Sequence, residues 1–134
     1  MRDVFLTTIF IASAIAMDGS PAAAHHSFAA EFDITKPVTL VGKVTKIEWT
    51  NPHAFLFIDV QDKQTGTVTN WEVEMGSPNG LTRLGWTRNA LKPGDEVTID
   101  GSLGRNKANL ANARSVVMTA TGKKLGAASS EGAQ

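Results

Sequence analysis

The sequence predicts an all-β domain with one short helix, folded as a five-stranded barrel of the OB-fold type. Three observations favour this class. Five segments rich in Val, Ile and Thr are separated by turns that contain Gly, Pro or Asn. The clearest helix start, at Ser77-Pro78, falls between the third and fourth segments. The first segment is long and changes its hydrophobic phase, as a coiled barrel strand does. A small open β-sandwich is the alternative.

Composition excludes several classes of protein. The chain has 134 residues, 13 Lys and Arg, 13 Asp and Glu, and no cysteine. Its length fits one domain, and its balanced charge disfavours a basic nucleic-acid-binding protein. Without cysteine it has no disulfide, thiolate metal site or cysteine nucleophile.

Residues 1–24 are predicted to be a signal peptide. Arg2 gives a positive start, residues 4–17 carry no charge, and small residues precede His25. The uncharged run is shorter than the roughly 20 residues of a membrane-spanning helix. We therefore expect a periplasmic or secreted protein, not held in a membrane after cleavage.

Residues 25–37 have weak periodicity and are predicted to form an N-terminal arm. Phe28 and Phe32 have the spacing of one helical turn and could fix this arm to the domain. The OB-like domain is expected at residues 38–125.

The first strand is predicted at residues 38–50. Leu40 and Val44 share one face of this strand, whereas Ile47 lies on the other. One extra residue reverses the inward set, so a β-bulge or sharp coil is expected near Gly42.

The second and third strands show period-two alternation. The second is predicted at residues 54–60 and the third at residues 67–75. In the third strand Val73 should point inward, whereas Glu72 and Glu74 should point to solvent. These two carboxylates are therefore not predicted to be catalytic.

The helix is predicted from Ser77 to Leu84, with Gly85 ending it. Two more strands follow, at residues 96–102 and 114–119. Residues 126–134 are small and polar, and a disordered tail is expected there.

Several short motifs resemble a family of small exported bacterial proteins classed as a domain of unknown function. The resemblance covers about residues 25–125 and implies export and one small β domain, but no activity. The motifs are His25-His26-Ser27-Phe28, Trp49-Thr50-Asn51-Pro52-His53, Ser77-Pro78, Gly85-Trp86, Leu91-Lys92-Pro93-Gly94-Asp95 and Ala113-Arg114-Ser115-Val116.

The three histidines are the candidate metal ligands. Cleavage after Ala24 would make His25 the first residue, whose amine and Nδ1 can chelate one ion. A third nitrogen, from His53 or His26, would complete a planar site of the histidine-brace type, which suits Cu(II). Cleavage after Ala23 would place a histidine at position three, another Cu(II) chelate. The alternative is an exposed polar N-terminus, with His53 hydrogen-bonded within its own turn.

Other side chains have structural interpretations. Glu48 or Asp59 could orient a ligating histidine. Trp71 is predicted to lie in the core, and Trp86 could cover the barrel end. Scattered basic residues give no nucleic-acid surface.

The sequence therefore favours a non-enzymatic, exported metal-binding protein, with copper as Cu(II) bound by His25, His26 and His53. The alternative is a metal-free accessory module that binds a protein or glycan through its barrel face and the Trp86 region. A copper oxidase or monooxygenase is a third possibility. No oligomeric state is predicted.

Overall fold

A computed structural model describes residues 27–131 of the chain as a mostly β structure with two short helices. The predicted signal peptide and the histidines at positions 25 and 26 lie outside the described residues. The elements are α1 Phe28–Glu31, β1 Phe32–Glu48, β2 Phe55–Gln61, β3 Val68–Glu74, α2 Pro78–Arg83, β4 Glu96–Gly104, β5 Leu110–Met118 and β6 Lys123–Gly126.

The six strands form one sheet in the order β3-β2-β1-β4-β5-β6. Neighbours in this order are antiparallel. A short parallel pairing also joins β3 to β5, through Glu72 with Leu110 and Glu74 with Asn112. This pairing closes five strands into a ring in the order β1-β2-β3-β5-β4, and β6 adds to the outside of β5. The ring sets the edges of the candidate site, because both partners of the closing pairing contribute side chains to it.

The predicted bulge in β1 is confirmed and lies at Thr45. Val44 pairs with Ile58 and Lys46 with Phe57, so Thr45 is the extra residue between them. Gly42 serves another purpose: a Cβ atom there would lie 2.4 Å from the Asp59 carbonyl oxygen. Glycine therefore lets β1 and β2 approach closely where β1 coils.

The core fills the ring with side chains from each of its five strands. These include Leu40, Val44, Leu56, Ile58, Val73, Val97, Ile99, Ala113 and Val116. Helix α2 adds Leu81, which is fully buried. Its start is confirmed, since the Ser77 hydroxyl accepts a hydrogen bond from the Gly80 N–H at 3.1 Å, and Pro78 is the first helical residue.

β1 begins six residues earlier than the predicted strand. Phe32 is 1% exposed and pairs with Gly104, but the register shifts between Asp33 and Pro37. This irregularity interrupts the alternation and hides the strand start from a periodicity argument. The Phe28 and Phe32 rings do meet across α1, with their centroids 5.4 Å apart.

A disordered tail was predicted at residues 126–134; residues 126–131 are ordered, and residues 132–134 lie outside the described residues. β6 pairs with β5, and Leu125 and Ala127 join the core. The Gly76 N–H donates to the Ala127 carbonyl at 2.8 Å, and Arg114 forms an ion pair with Glu131. Small residues suit this segment because a Cβ atom at Gly76 would lie 2.2 Å from the Ala128 carbonyl oxygen. Residues 126–131 are small because the backbone of this segment packs closely against the backbone at Gly76, and the low hydrophobicity does not indicate disorder.

Within residues 27–131, neither helix has the length and apolar character needed to cross a membrane.

Candidate functional site

A cavity of about 530 Å³ lies between the β1–β2 corner and the β4–β5 loop. The end of β3 forms its floor, and α1 contributes one side chain from the N-terminal side. The cavity is lined by Glu31, Thr50, Asn51, Pro52, His53, Phe55, Glu72, Glu74, Asn106, Lys107 and Leu110. Three carboxyl groups and one lysine in this set make the lining predominantly acidic.

His53 is fixed in the β1–β2 corner by backbone contacts around it. The Thr50 hydroxyl donates to the His53 carbonyl at 3.0 Å. The next residue, Ala54, donates its N–H to the Gly76 carbonyl at 3.0 Å and accepts from the Met75 N–H at 2.9 Å. These bonds tie the corner to the end of β3, so the imidazole is positioned on the cavity wall.

The imidazole faces the Glu74 carboxyl group. His53 Nδ1 lies 3.5 Å from Glu74 Oε1, and their side chains are 27% and 8% exposed. The same Oε1 accepts a hydrogen bond from the Asn112 amide at 3.2 Å. Glu74 thus lies between a buried amide of β5 and the ring of His53.

The prediction that the Glu74 side chain points to solvent is wrong. Its side chain does lie on the face opposite Val73, but β5 and the β1–β2 corner cover that face, leaving Glu74 6% exposed. The β2–β3 register places Phe55 opposite Glu74, and His53 precedes Phe55 by two residues on the same face. Counting back from the hairpin turn would have brought His53 and Glu74 together. No local pattern in the sequence predicts that β5 covers the Glu74 side chain.

Burial raises the pKa of Glu74 to about 7. The neighbouring carboxylates of Glu31 and Glu72 also raise this pKa, and the hydrogen bond from Asn112 opposes them. The cavity therefore holds a carboxyl group that is partly protonated near neutral pH. A cation bound nearby would favour the ionised form of this group.

Arg105 connects the N-terminal segment to the cavity. Its Nε donates to the Ala29 and Phe32 carbonyls, at 2.9 and 3.0 Å, and its backbone N–H donates to the Glu31 carbonyl at 2.8 Å. Its guanidinium also forms an ion pair with Asp33. Because Arg105 begins the β4–β5 loop, these contacts hold α1 beside the loop that lines the cavity. Sequence reasoning missed this contact, which joins residues far apart in the chain.

The opposite wall contains an ion pair between Glu72 and Lys107. This pair links β3 to the β4–β5 loop. Lys107 therefore compensates one of the three carboxylates that line the cavity.

Of the predicted metal ligands, His53 lines the cavity, whereas His25 and His26 lie outside the described residues. Between residues 27 and 131, no group of three or more His, Asp or Glu side chains is arranged to hold a metal ion. Neither carboxylate suggested as an orienting partner faces His53. Glu48 pairs with Lys46, and Asp59 accepts a hydrogen bond from Asn70. Glu74 occupies that position instead.

The tryptophans offer little exposed surface for a partner. Trp86 is 3% exposed, and its indole N–H donates to the Gly126 carbonyl at 2.8 Å. It belongs to the hydrophobic core and is not available as a binding surface. Trp49 and Trp71 are half-buried against the core.

Comparison with known proteins places the chain in a family. A family model described as "Family of unknown function (DUF6152)" matches residues 13–125, and the chain belongs to this family. Searches of curated proteins and of solved structures return no match.

Proposed function

We propose that this member of the DUF6152 family is an exported binding protein for a metal ion, with Cu(II) as the first choice. His53 would supply one nitrogen from the cavity, and His25 or His26 would supply the others from the N-terminal arm. The observation that carries the proposal is the His53–Glu74 pair in an acidic cavity that α1 also lines.

The histidine–carboxylate pair is the first support. Histidines that bind metals usually direct their other ring nitrogen at a carboxylate or carbonyl, which fixes the ring and increases its basicity. With Nδ1 directed at Glu74, the metal-binding atom of His53 would be Nε2.

The charge of the cavity is the second support. Glu31 and Glu74 repel each other, and this repulsion contributes to the raised pKa of Glu74. A bound cation would offset the repulsion, so the cavity favours a cationic ligand over an anionic one.

The position of the arm is the third support. His25 precedes the start of α1 at Phe28 by three residues, which span at most about 10 Å when extended, and α1 adds about 5 Å to Glu31. Since Glu31 lines the same cavity as His53, the arm begins close enough for its imidazoles to join His53. Removal of the predicted signal peptide in the periplasm would expose the amine that completes the chelate.

A glycan or protein ligand is the second candidate. The five-strand ring, with α2 between β3 and β4, supports assignment to the OB-fold, the finer class that we propose for this domain. OB-folds bind oligosaccharides and oligonucleotides near the loops that join strands one and two and strands four and five. The cavity lies between those two loops, and its 530 Å³ exceeds the space that one ion needs.

Copper titration of correctly processed protein tests the first candidate. The protein would be recovered after export, and intact mass spectrometry would identify its first residue. Calorimetry should then show Cu(II) binding that weakens at least about tenfold in His53→Gln. Affinity should also fall below about pH 6, because the ligand imidazoles become protonated.

A version with three extra residues (Met, Gly and Ser) before His25 is the matched control, since it keeps every side chain but leaves no histidine at position one or three. Equal Cu(II) affinity in this version would contradict the chelate, and unchanged affinity in His53→Gln would contradict the role of the cavity. Binding of a glycan to chelator-treated protein would favour the second candidate.

A further inference from the structure

A chain of polar groups extends from the C-terminal segment, residues 127–131, to the cavity. The Ser129 hydroxyl donates to Asn112 Oδ1 at 2.6 Å, and Asn112 Nδ2 donates to Glu74 Oε1 at 3.2 Å. Glu74 Oε1 then lies 3.5 Å from His53 Nδ1. Asn112 is 1% exposed and Glu74 6%, so the two central groups are almost shielded from water.

The direction of each bond is set by its neighbours. The Ser129 oxygen accepts the Glu131 N–H at 3.0 Å, which directs the hydroxyl hydrogen towards Asn112. The amide of Asn112 must therefore present its oxygen to Ser129 and its NH₂ group to Glu74. When Glu74 is ionised, a reversed amide would place the Asn112 oxygen against the Glu74 carboxylate in a buried place, at a cost of about 1–3 kcal/mol.

The C-terminal segment is itself held firmly. The Ala127 carbonyl accepts from the Gly76 N–H, the Ala127 N–H donates to the Arg114 carbonyl, and Arg114 forms an ion pair with Glu131. These contacts fix the segment that carries the Ser129 hydroxyl.

We infer that Ser129 and Asn112 are positioning residues for the cavity: their hydrogen bonds hold Glu74 Oε1 against His53 Nδ1 and so present Nε2 to the ligand. An acceptor oxygen beside Nδ1 favours the neutral imidazole with its proton on Nδ1, whereas free imidazole side chains favour the proton on Nε2. The lone pair of His53 Nε2 is then available to bind the ligand. The step from Nε2 to a metal ion rests on the proposed function, but the choice of tautomer does not.

Nitrogen-15 NMR of the histidine rings tests the inference in the full chain. Metal-free protein would be measured near pH 8.5, above the pKa of about 7 of Glu74 and about two units above the usual histidine pKa. The signals of His53 are identified by their loss in His53→Gln. We expect the Nδ1–H form in the wild type and a shift towards the Nε2–H form in Ser129→Ala.

Two controls separate positioning from folding. Ser129→Thr retains a hydroxyl and should restore the wild-type tautomer. Ser130→Ala removes a neighbouring hydroxyl outside the chain of hydrogen bonds and should leave the tautomer unchanged. Circular dichroism confirms that each variant folds.

An Nε2–H tautomer in the wild type would overturn the inference without reference to any variant. A wild-type tautomer in folded Ser129→Ala would also overturn it. The expected shift accompanied by about tenfold weaker Cu(II) binding supports both proposals. The expected shift in a protein that does not bind Cu(II) supports the positioning role and contradicts the metal proposal.

Discussion

Glu74 connects three otherwise separate parts of the protein at the scale of a single residue. Its carboxyl group contacts the β1–β2 corner through His53 and β5 through Asn112, and it shares the cavity with Glu31 of α1. Alternation predicts correctly which face of β3 it occupies, but the same argument predicts exposure. Burial of that face depends on the β3–β5 pairing, which no local pattern in the sequence encodes.

The raised pKa of Glu74 predicts how stability changes with pH. Its usual pKa is 4.5, and burial raises the pKa to about 7 in the fold. The folded chain therefore binds more protons than the unfolded chain between these values, and the free energy of unfolding should fall as pH rises through this window. Glu74→Gln removes the titration but keeps the shape. The stability of this variant relative to the wild type should increase by about 1–3 kcal/mol from pH 4.5 to 7.5.

Urea unfolding of metal-free protein at several pH values measures this difference. Asp33, whose pKa is lowered chiefly by the Thr35 hydroxyl, contributes in the opposite direction in every variant and cancels in the comparison. Glu48→Gln is the control, because it removes an exposed carboxylate paired with Lys46. A relative stability of Glu74→Gln that stays constant across the window would contradict the assignment.

At the scale of elements, the sequence predicts those with a regular local pattern. The positions of β2, β3, α2 and β4 are close to those predicted, because alternation and the Ser77 cap are local signals. β5 begins at Leu110, four residues before the predicted start. The early part of β5 reads as small and polar because Ala111, Asn112 and Ala113 lie where backbones approach closely: a Cβ atom at Gly101 would lie 2.0 Å from the Asn112 carbonyl oxygen.

β6 provides the element-scale prediction. Leu125 is 8% exposed and belongs to the core, although the sequence places it beside an expected disordered tail. Leu125→Ala should lower the free energy of unfolding by about 2–4 kcal/mol, since it removes buried methyl groups and leaves a cavity. Chemical denaturation measures the loss.

Lys124→Ala is the matched control on the same strand, where the side chain is exposed. We expect it to change stability by less than about 0.5 kcal/mol. Equal effects of the two substitutions would show that β6 is not part of the folded core.

At the scale of the whole molecule, Arg105 joins the N-terminal segment to the ring. Its side chain contacts the carbonyls of Ala29 and Phe32 and the carboxylate of Asp33. The candidate metal ligands also come from both parts, since His53 belongs to the ring and His25 to the predicted N-terminal arm. The sequence could predict that these histidines are available, but not that a residue of the β4–β5 loop holds α1 beside the cavity.

Arg105→Gln should therefore weaken Cu(II) binding without changing any proposed ligand. Loss of its ion pair and of at least one hydrogen bond would loosen α1, and ordering the arm would then oppose binding by about 1–2 kcal/mol. Calorimetry should show about five- to thirtyfold weaker binding, and hydrogen exchange at residues 28–33 should become faster.

Arg88→Gln, at an exposed position of the α2–β4 connection, has the same change of charge and should leave both measurements unaltered. Faster exchange in Arg105→Gln with unchanged affinity would show that the arm takes no part in the site.

The β3–β5 pairing gives the ring a seam of only three residue pairs, and the cavity floor is made from that seam. No hairpin or helix of this chain can form the site alone, because Glu74 meets Asn112 only after the ring has closed. A bound ligand would consequently act as a clasp: by mass action it would stabilise the closed ring over any state in which the seam has opened. Occupancy of the cavity and closure of the ring are thus thermodynamically linked.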